Sequence, residues 1–339
     1  MSVLKRISAI RKRKSKQPED EDTAEASNDE PTAGTSSSPS SSDRSGKPVG
    51  VDFIPPLELE SEMPTFFTMG LLAKECLIRG YEIGIWHIEC TSKSDNFNTY
   101  SIGEAHPDLS HVSGGIGIRE KFGAFNLTQA WQTNGYLGMI GASTEALEAN
   151  IYSVFKGFYG PHGNGAIKVD LLAGYERAPL KSEVIVPVLH SPKFMGYLLL
   201  QPADHFLFGG RLTVDVEQRK VDTHALCVGY LDDTTEYMLK LENFKNVRGS
   251  VFHRLNDRFA LALKANLFGD NMKTFTVGGQ FQVDEQTLLK AKISNNCQAG
   301  IVCQMKVTDQ VEGIYYFGFD GKSPIGGEHK VGISWSFKA

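Results

Sequence analysis

Most of the chain after residue 80 alternates apolar residues with small or polar ones, and the clearest case lies between residues 257 and 307. A strict period of two predicts β-strands and leaves little room for a helix. The turns between these runs are short and rich in Asp, Asn and Gly, so neighbouring strands are expected to pair as an antiparallel meander. The four runs are 259–267, 274–282, 289–294 and 299–307.

The same alternation recurs from Glu82 to Phe337, where roughly nineteen strands are predicted. The pattern alone does not choose between a soluble sandwich or barrel and a membrane barrel, because both alternate. Strand number helps, since strands of about ten residues cross a tilted bilayer and a long chain of them closes a wide ring. No apolar run reaches about 18 residues, which excludes a transmembrane helix.

One helical pattern precedes the strands and is predicted over residues 64–80. Lys74 and Glu75 lie off its apolar stripe, and Gly80 is a stop signal. The simpler alternative is a capping helix packed on the sheet. The stripe consists of Phe66, Phe67, Met69, Leu71, Leu72, Cys76 and Leu77.

Residues 1–63 differ in kind from the rest and are predicted to be a disordered extension. Residues 1–16 are basic, 19–30 acidic and 36–42 almost entirely Ser. The basic segment has apolar residues at helical spacing, so it could bind an anionic membrane or assist targeting. The alternatives are a solvated tail and a chance nuclear-type basic cluster.

Composition argues against several other classes of protein. Five cysteines without a CxxC pair are read as reduced thiols. A slightly negative net charge makes nucleic acid an unexpected partner. The Gly-rich stretches 160–165 and 318–322 lack the context of phosphate-binding loops and are predicted to be turns. No catalytic or metal-binding motif is found, so neither an enzyme nor a resident cofactor is expected.

Four stretches resemble the eukaryotic mitochondrial porins, the voltage-dependent anion channels of the outer membrane. The likeness covers about four fifths of the chain, as in a divergent paralogue, insect-type or other, with an N-terminal extension. The stretches are 64–84, 125–134, 281–296, and 321–327 with the ending 335–339.

The resemblance implies an all-β fold: a nineteen-stranded transmembrane β-barrel over residues 81–339, with the N-terminal α-helix inside the pore. Its first and last strands would pair in parallel. Such a pore passes ATP, ADP, other metabolite anions and small ions by passive diffusion across the mitochondrial outer membrane, without a catalytic group. The lipid bilayer is the expected environment, and a second copy of the chain or cytosolic docking proteins are the expected macromolecular partners.

The resemblance also implies pore-lining and weak nucleotide-contact positions. A lysine of the family at the pore exit corresponds to Arg79, and Lys74 lies on the same helix. The alternative for the remaining positions is that they are ordinary strand residues. Those positions are Gln298, Ala299, Gly300, Tyr316, Phe317, Gly318, Phe319 and Asp320.

Three departures from the family pattern are expected to change conduction. Gln129 stands where the family often has a membrane-facing glutamate linked to partner binding, and Leu71 stands where it has a second helix lysine. Both argue against strong voltage gating. From Pro64 onward the chain has 26 Lys and Arg against 28 Asp and Glu. Because wall charge repels ions of like sign, this sum predicts weakened anion preference or cation preference.

Two other functions remain open from the sequence. The barrel could act mainly as a docking scaffold, with the acidic, Ser-rich extension as a binding arm that phosphorylation would modify. The related protein-import pore of the same membrane is the third option, which the metabolite-channel character of the C-terminal stretch disfavours.

Overall fold

The structure is a computed structural model that describes residues 63–81, 84–105, 112–146, 148–160, 167–190, 192–268, 274–327 and 329–339. Residues 1–62 of the predicted extension (1–63) lie outside the described residues. Within them, the chain forms a short 3-10 turn (Phe66–Thr68), one helix and nineteen strands. The helix is α1 (Leu71–Leu77), and the strands are β1 (Trp86–Lys93), β2 (Phe97–Ala105), β3 (Val112–Phe122), β4 (Phe125–Gln132), β5 (Gly135–Ala146), β6 (Ala149–Tyr159), β7 (Ile167–Arg177), β8 (Leu180–Leu189), β9 (Lys193–Ala203), β10 (Phe206–Asp215), β11 (Lys220–Leu231), β12 (Thr235–Glu242), β13 (Asn246–Arg254), β14 (Phe259–Phe268), β15 (Phe275–Gln282), β16 (Thr287–Ser294), β17 (Gln298–Lys306), β18 (Val311–Asp320) and β19 (Lys330–Lys338).

The nineteen described strands form one closed sheet. Each strand pairs antiparallel with its neighbour in sequence, and β1 closes the ring by pairing in parallel with β19, Trp86 opposite Ile333 and Cys90 opposite Phe337. An odd number of up-and-down strands forces this result, because the first and last strands then run in the same direction. The predicted strand number, the barrel and the parallel closure are confirmed.

The large apolar side chains point away from the barrel axis. Ile301 stands directly opposite Phe317 on the neighbouring strand, and Phe317 stands opposite Val331. All three are more than half exposed, whereas Val302, on the other face of β17, is fully buried. A continuous exposed apolar band of this kind requires a hydrocarbon environment. The register therefore decides the choice that alternation left open, in favour of a membrane barrel.

The two rims of the barrel follow from the strand order. β1 begins at the rim that we call the first rim, and the turns after even-numbered strands also lie there. The turns after odd-numbered strands and the C-terminus lie at the second rim. The predicted turn at Asp284 is one of these, where its carboxylate accepts hydrogen bonds from the backbone N–H groups of Gln286 and Thr287. These hydrogen bonds lower the pKa of Asp284, and the bond from Gln286 has the largest effect.

The predicted helix over residues 64–80 is shorter than expected and is broken. The 3-10 turn ends at Thr68, Met69 is extended, and Gly70 adopts a left-handed conformation with φ of 74° before α1 begins. A left-handed residue cannot continue a right-handed helix, so the apolar stripe is divided between two short pieces. No helix of the described residues is long and apolar enough to cross a bilayer.

Candidate functional site in the lumen

The segment from Met63 to Tyr81 lies inside the barrel against one side of its wall. The 3-10 turn contacts β9 and β10, and α1 contacts β13 to β16. Ala73, Cys76 and Leu77 of α1 are buried against Phe252, Ala260 and Ala262. The helix is therefore lumenal, as the resemblance implied, and Tyr81 belongs to this segment because the first strand begins only at Trp86.

Glycines on the lumenal face make room for the helical segment. A Cβ at Gly278 would lie 2.5 Å from Leu77 Cδ2, one at Gly209 would lie 2.9 Å from Met69 Sδ, and one at Gly300 would lie 2.9 Å from Tyr81 Cδ1. Real Cβ atoms do not approach so closely. These strand glycines therefore form the bed on which the segment rests.

A buried acid from the wall binds the N-terminus of α1. The Glu236 carboxylate on β12 accepts hydrogen bonds from the backbone N–H groups of Leu72 at 2.7 Å and Ala73 at 3.2 Å. Gly70, in the N-cap position, has no side chain to accept them. A carboxylate here satisfies unpaired donors and complements the helix dipole. It performs the function of an N-cap from a distant strand.

A buried lysine from the wall binds the opposite end of the helix. Lys290 Nζ on β16 donates to the carbonyl oxygen of Glu75 at 2.7 Å and to that of Arg79 at 3.4 Å. A cation at a helix C-terminus is the complement of an acid at its N-terminus. Glu236 and Lys290 thus form a bracket around α1. The sequence analysis identified neither residue.

The two predicted basic residues of the helical segment are close to acidic and carbonyl groups. Arg79 forms an ion pair with Glu75 at 3.3 Å, one helical turn earlier, and about a third of its side chain stays exposed to the lumen. Lys74 is partly buried on α1, and its carbonyl oxygen accepts the N–H groups of Ile78 and Arg79. Leu71, where the family has a lysine, is the first residue of α1.

The register divides the predicted nucleotide-contact positions into two sets. Tyr316 contacts Tyr81 inside the lumen, with ring centroids 5.8 Å apart, and so fixes which face of β18 points inward. By alternation and pairing, Ala299, Phe317 and Phe319 face the bilayer, so a solute in the lumen does not reach them. This part of the predicted set is corrected. The positions that do face the lumen are Gln298, Gly300, Tyr316, Gly318 and Asp320.

Two of the lumenal positions already contact protein groups. Tyr81 packs on Tyr316, rests over Gly300, and has the Lys292 ammonium 4.4 Å from its ring centroid. Gly300 and Tyr316 therefore position the end of the helical segment. Gln298 and Asp320 stand opposite each other at the first-rim end of their strands.

Gln129 lies on the outer face of the barrel, as its position in an apolar row predicted. It stands opposite Ile118 on β3 and Gly138 on β5, and the same face of β4 carries Leu127 and Trp131. An amide in this position can form hydrogen bonds but cannot carry a charge.

Charge is distributed unevenly between the lumen and the rims. Basic side chains outnumber acidic ones at lumen-facing strand positions, whereas acidic residues outnumber basic ones in the described turns. The net charge of residues 64–339 therefore does not describe the charge of the pore wall, and the weakened anion preference or cation preference inferred from it stays a prediction. Basic lumen-facing positions are Lys93, Arg119, Lys121, Lys156, Lys168, Lys181, Lys193, Arg211, Lys220, Lys240, Arg248, Arg254, Lys264, Lys290, Lys292, Lys306, Lys330 and Lys338. Acidic ones are Glu89, Glu104, Glu145, Asp170, Glu176, Glu183, Asp215, Glu236, Glu242, Glu312 and Asp320.

The first described residue is held inside the lumen by a buried polar network. The backbone N–H of Met63 donates to Glu176 at 2.7 Å, and Lys181 Nζ lies 3.5 Å from the Met63 carbonyl oxygen. Lys181 also pairs with Glu176 at 3.0 Å. Met63 was predicted to end the disordered extension, and it instead belongs to the lumenal segment. Tyr152 donates a hydrogen bond to Glu183 beside this network.

Within the described ranges, no group of three or more His, Cys, Asp or Glu side chains is placed to hold a metal ion. All five cysteines are free, which agrees with their reading as reduced thiols.

The profile of a family described as eukaryotic porin matches residues 62–332. A voltage-dependent anion-selective channel of Drosophila melanogaster is 24% identical over 287 residues, which cover 81% of this chain and 99% of that protein. The non-selective voltage-gated ion channel VDAC1 of Rattus norvegicus is 22% identical over 281 residues, with the same coverage. Among solved structures, a mutant of Rh. blastica porin covers 66% of this chain and 90% of its own at 8% identity, with a TM-score of 0.48.

Proposed function

We propose that this chain, which belongs to the eukaryotic porin family, lets small ions and metabolite anions such as ATP and ADP diffuse across the mitochondrial outer membrane. Membership makes it a pore-forming membrane protein for small solutes and not an enzyme. The membrane, the permeating metabolites and their selection are the proposed part. They rest on the resemblance to the relatives and on the charge of the lumen.

One observation carries the proposal: the closed wall is apolar on its outer face and predominantly basic on its inner face. The outer face suits hydrocarbon, and the inner face suits water and dissolved ions. Fixed wall charge repels ions of like sign and concentrates ions of opposite sign. A basic lumen therefore favours anions, which is the class to which nucleotides belong.

We propose that the charge of the pore wall gives the channel an anion preference. This replaces the cation preference suggested by the net charge of the chain from Pro64 onward. Four basic lumen-facing positions lie on β14, β16 and β17, along the wall against which α1 packs: Lys264, Lys290, Lys292 and Lys306. Nucleotide phosphates would pass Arg79 and Lys74 of the helical segment and Gln298 and Asp320 near the first rim. These contacts are weak because they are spread over an open lumen and form no enclosed cavity.

We also propose weak voltage gating, because the helical segment is bound at both ends. Glu236 and Lys290 are both buried, and each satisfies backbone groups of α1. A voltage-driven displacement of the helix would break these contacts and leave a carboxylate and an ammonium buried without their partners. That cost is several kcal/mol on the scale of buried charges that lose a partner, roughly 3–5 kcal/mol each.

The test is electrical recording of the purified full-length chain in a planar bilayer with a tenfold KCl gradient across it. The proposal predicts stepwise insertion of open channels, a reversal potential displaced toward that of chloride, and little closure at high voltage. Absence of conductance contradicts the pore, whereas a reversal potential displaced toward that of potassium contradicts the proposed anion preference alone. Repeating the measurement at high salt is the control, since screening reduces a preference that arises from wall charge.

A further inference from the structure

An apolar area lies on the lumenal face of β2 to β6, on the part of the wall away from the helical segment. Tyr100, Gly117, Ala130, Leu137 and Phe158 stand directly opposite one another on successive strands. A water-filled pore normally has polar, charged or small residues at such positions. We call this area the β2–β6 patch, and its apolar members are Tyr100, Ile102, Ala130, Leu137, Met139 and Phe158.

The centre of the patch is buried, although the helical segment does not pack on it. Leu199 is buried under Phe66 and Met69, and Val302 is buried under Tyr81. Leu137 has no exposed surface either, although the 3-10 turn and α1 pack on β9, β10 and β13 to β16. Leu137 packs against Tyr100 and Ala130, and the surrounding side chains of Ile102, Met139 and Phe158 stay partly exposed. The patch therefore offers apolar surface to a further segment of the chain.

The described part of the chain begins at Met63, inside the lumen. Met63 is bound to Glu176 and Lys181 at the β7–β8 hairpin, close to the second rim. Met63, to which the extension is attached, therefore lies inside the barrel, and Glu176 of β7 is two strands from β5.

We propose that residues 51–54 of the extension lie across the β2–β6 patch, and that the extension lines that side of the pore between the patch and Met63. This segment has apolar side chains at Val51, Phe53 and Ile54 for the apolar surface. Residues 51–62 also contain four acidic residues and no basic one, whereas residues 1–50 contain nine basic and eight acidic residues. The patch is flanked by Arg119, whose guanidinium lies 5.8 Å from the Tyr100 ring centroid, and by Lys156, opposite Met139.

The segment is long enough to reach the patch. From Met63 to Leu137 the path crosses roughly three strand spacings of about 4.8 Å and about eight residue rises of about 3.3 Å, which gives a distance of about 30 Å. An extended chain covers about 3.3 Å per residue, so about nine residues suffice. Residues 51–54 are nine to twelve residues from Met63 and can reach Leu137, whereas residues 55–62 span the distance between them.

The docked segment would add acidic groups to a basic lumen. Because the net negative charge of the extension is concentrated in residues 51–62, docking weakens the anion preference set by the wall. The effect on permeation rests on the proposed function, whereas the position of the segment does not.

Disulfide cross-linking tests the position without any reference to conduction. In a full-length background whose native cysteines are replaced by serine or alanine, Phe53→Cys is combined with Met139→Cys or, as the control, with Ser143→Cys. Both wall positions face the lumen on β5, and they lie about 13 Å apart at about 3.3 Å per residue. Mild oxidation is expected to link Phe53→Cys to Met139→Cys and not to Ser143→Cys. No link at Met139→Cys, or equal linking at both positions, overturns the docking.

Two deletions give an independent test through permeation. Removing residues 1–50 leaves the segment in place and changes the net charge by only one, whereas removing residues 1–60 also removes Asp52, Glu58 and Glu60. The reversal potential is expected to move further toward that of chloride on passing from the first deletion to the second. Identical reversal potentials overturn the docking. If neither deletion conducts while the cross-link forms, the pore proposal fails and the docking stands.

Discussion

The bracket around α1 predicts how firmly the helical segment is held. In Glu236→Gln the side chain keeps its shape and an acceptor oxygen but loses the charge that faces the helix N-terminus. A charge at that end contributes about 0.3–1 kcal/mol at exposed sites and up to about 2 kcal/mol in buried geometries. The Glu236 carboxylate has 4% exposure and accepts two N–H groups, so we expect the substitution to reduce the free energy of helix docking by about 1–2 kcal/mol. Each 1.4 kcal/mol changes the equilibrium constant about tenfold. The undocked population should therefore rise about 5- to 30-fold.

Cys76 is a native reporter of this undocking, because it has no exposed surface when α1 is docked. In a variant whose other four cysteines are replaced, the rate of maleimide labelling follows the undocked population whenever redocking is faster than labelling. The expected result is an increase of about 5- to 30-fold in Glu236→Gln and a similar increase in Lys290→Met.

The matched control is Glu242→Gln, on the same strand and also facing the lumen. Glu242 forms an ion pair with Arg248 at 3.5 Å and takes no part in the bracket. Labelling of Glu242→Gln should remain at the rate of the parent. The reasoning about the bracket is refuted if Cys76 is labelled no faster in Glu236→Gln than in this control, or if the labelling rate increases equally in both variants.

Three further predictions follow from the register. Gly278→Ala should destabilise the docked helix by about 1–3 kcal/mol, because the new Cβ has no room. Gly210→Ala should have no such effect, because a Cβ built there has no heavy atom within 4 Å. Thermal unfolding in detergent compares the two variants. Gln129→Glu should lower the unfolding free energy in vesicles by about 1–2 kcal/mol through its exposure to lipid, and Gln132→Glu, on the lumenal face of β4, should leave it unchanged. Lys264→Glu should move the reversal potential in a salt gradient toward that of potassium, and an unchanged value would contradict the role of wall charge.

The strands could be predicted from the sequence because their signal is local. Alternation with period two placed β14 to β17 within two residues of their observed bounds, and the described turns at 284–285 and 295–296 lie where Asp and Asn were found. The helix was overestimated for an equally local reason: its apolar stripe continues through Gly70, and the left-handed conformation there is visible only in the backbone.

The candidate site was harder to predict, because it depends on contacts between distant residues. Glu236 binds α1 across more than 160 residues of sequence and Lys290 across more than 210, and neither has a distinctive sequence context. The lumen charge was missed for a related reason. The net charge of the chain counts Asp257 in a turn and Lys264 on the pore wall equally. Only the pairing of the strands shows which charged side chains face the lumen.

The parallel seam between β1 and β19 also restricts biogenesis. Its two strands are separated by almost the whole barrel sequence, so the ring stays open until the final residues have left the ribosome. A product truncated before Lys330 would keep β1 and β18 as two unpaired edges, with backbone donors and acceptors facing lipid. Such a fragment cannot seal itself, and assembly of this protein is therefore necessarily post-translational.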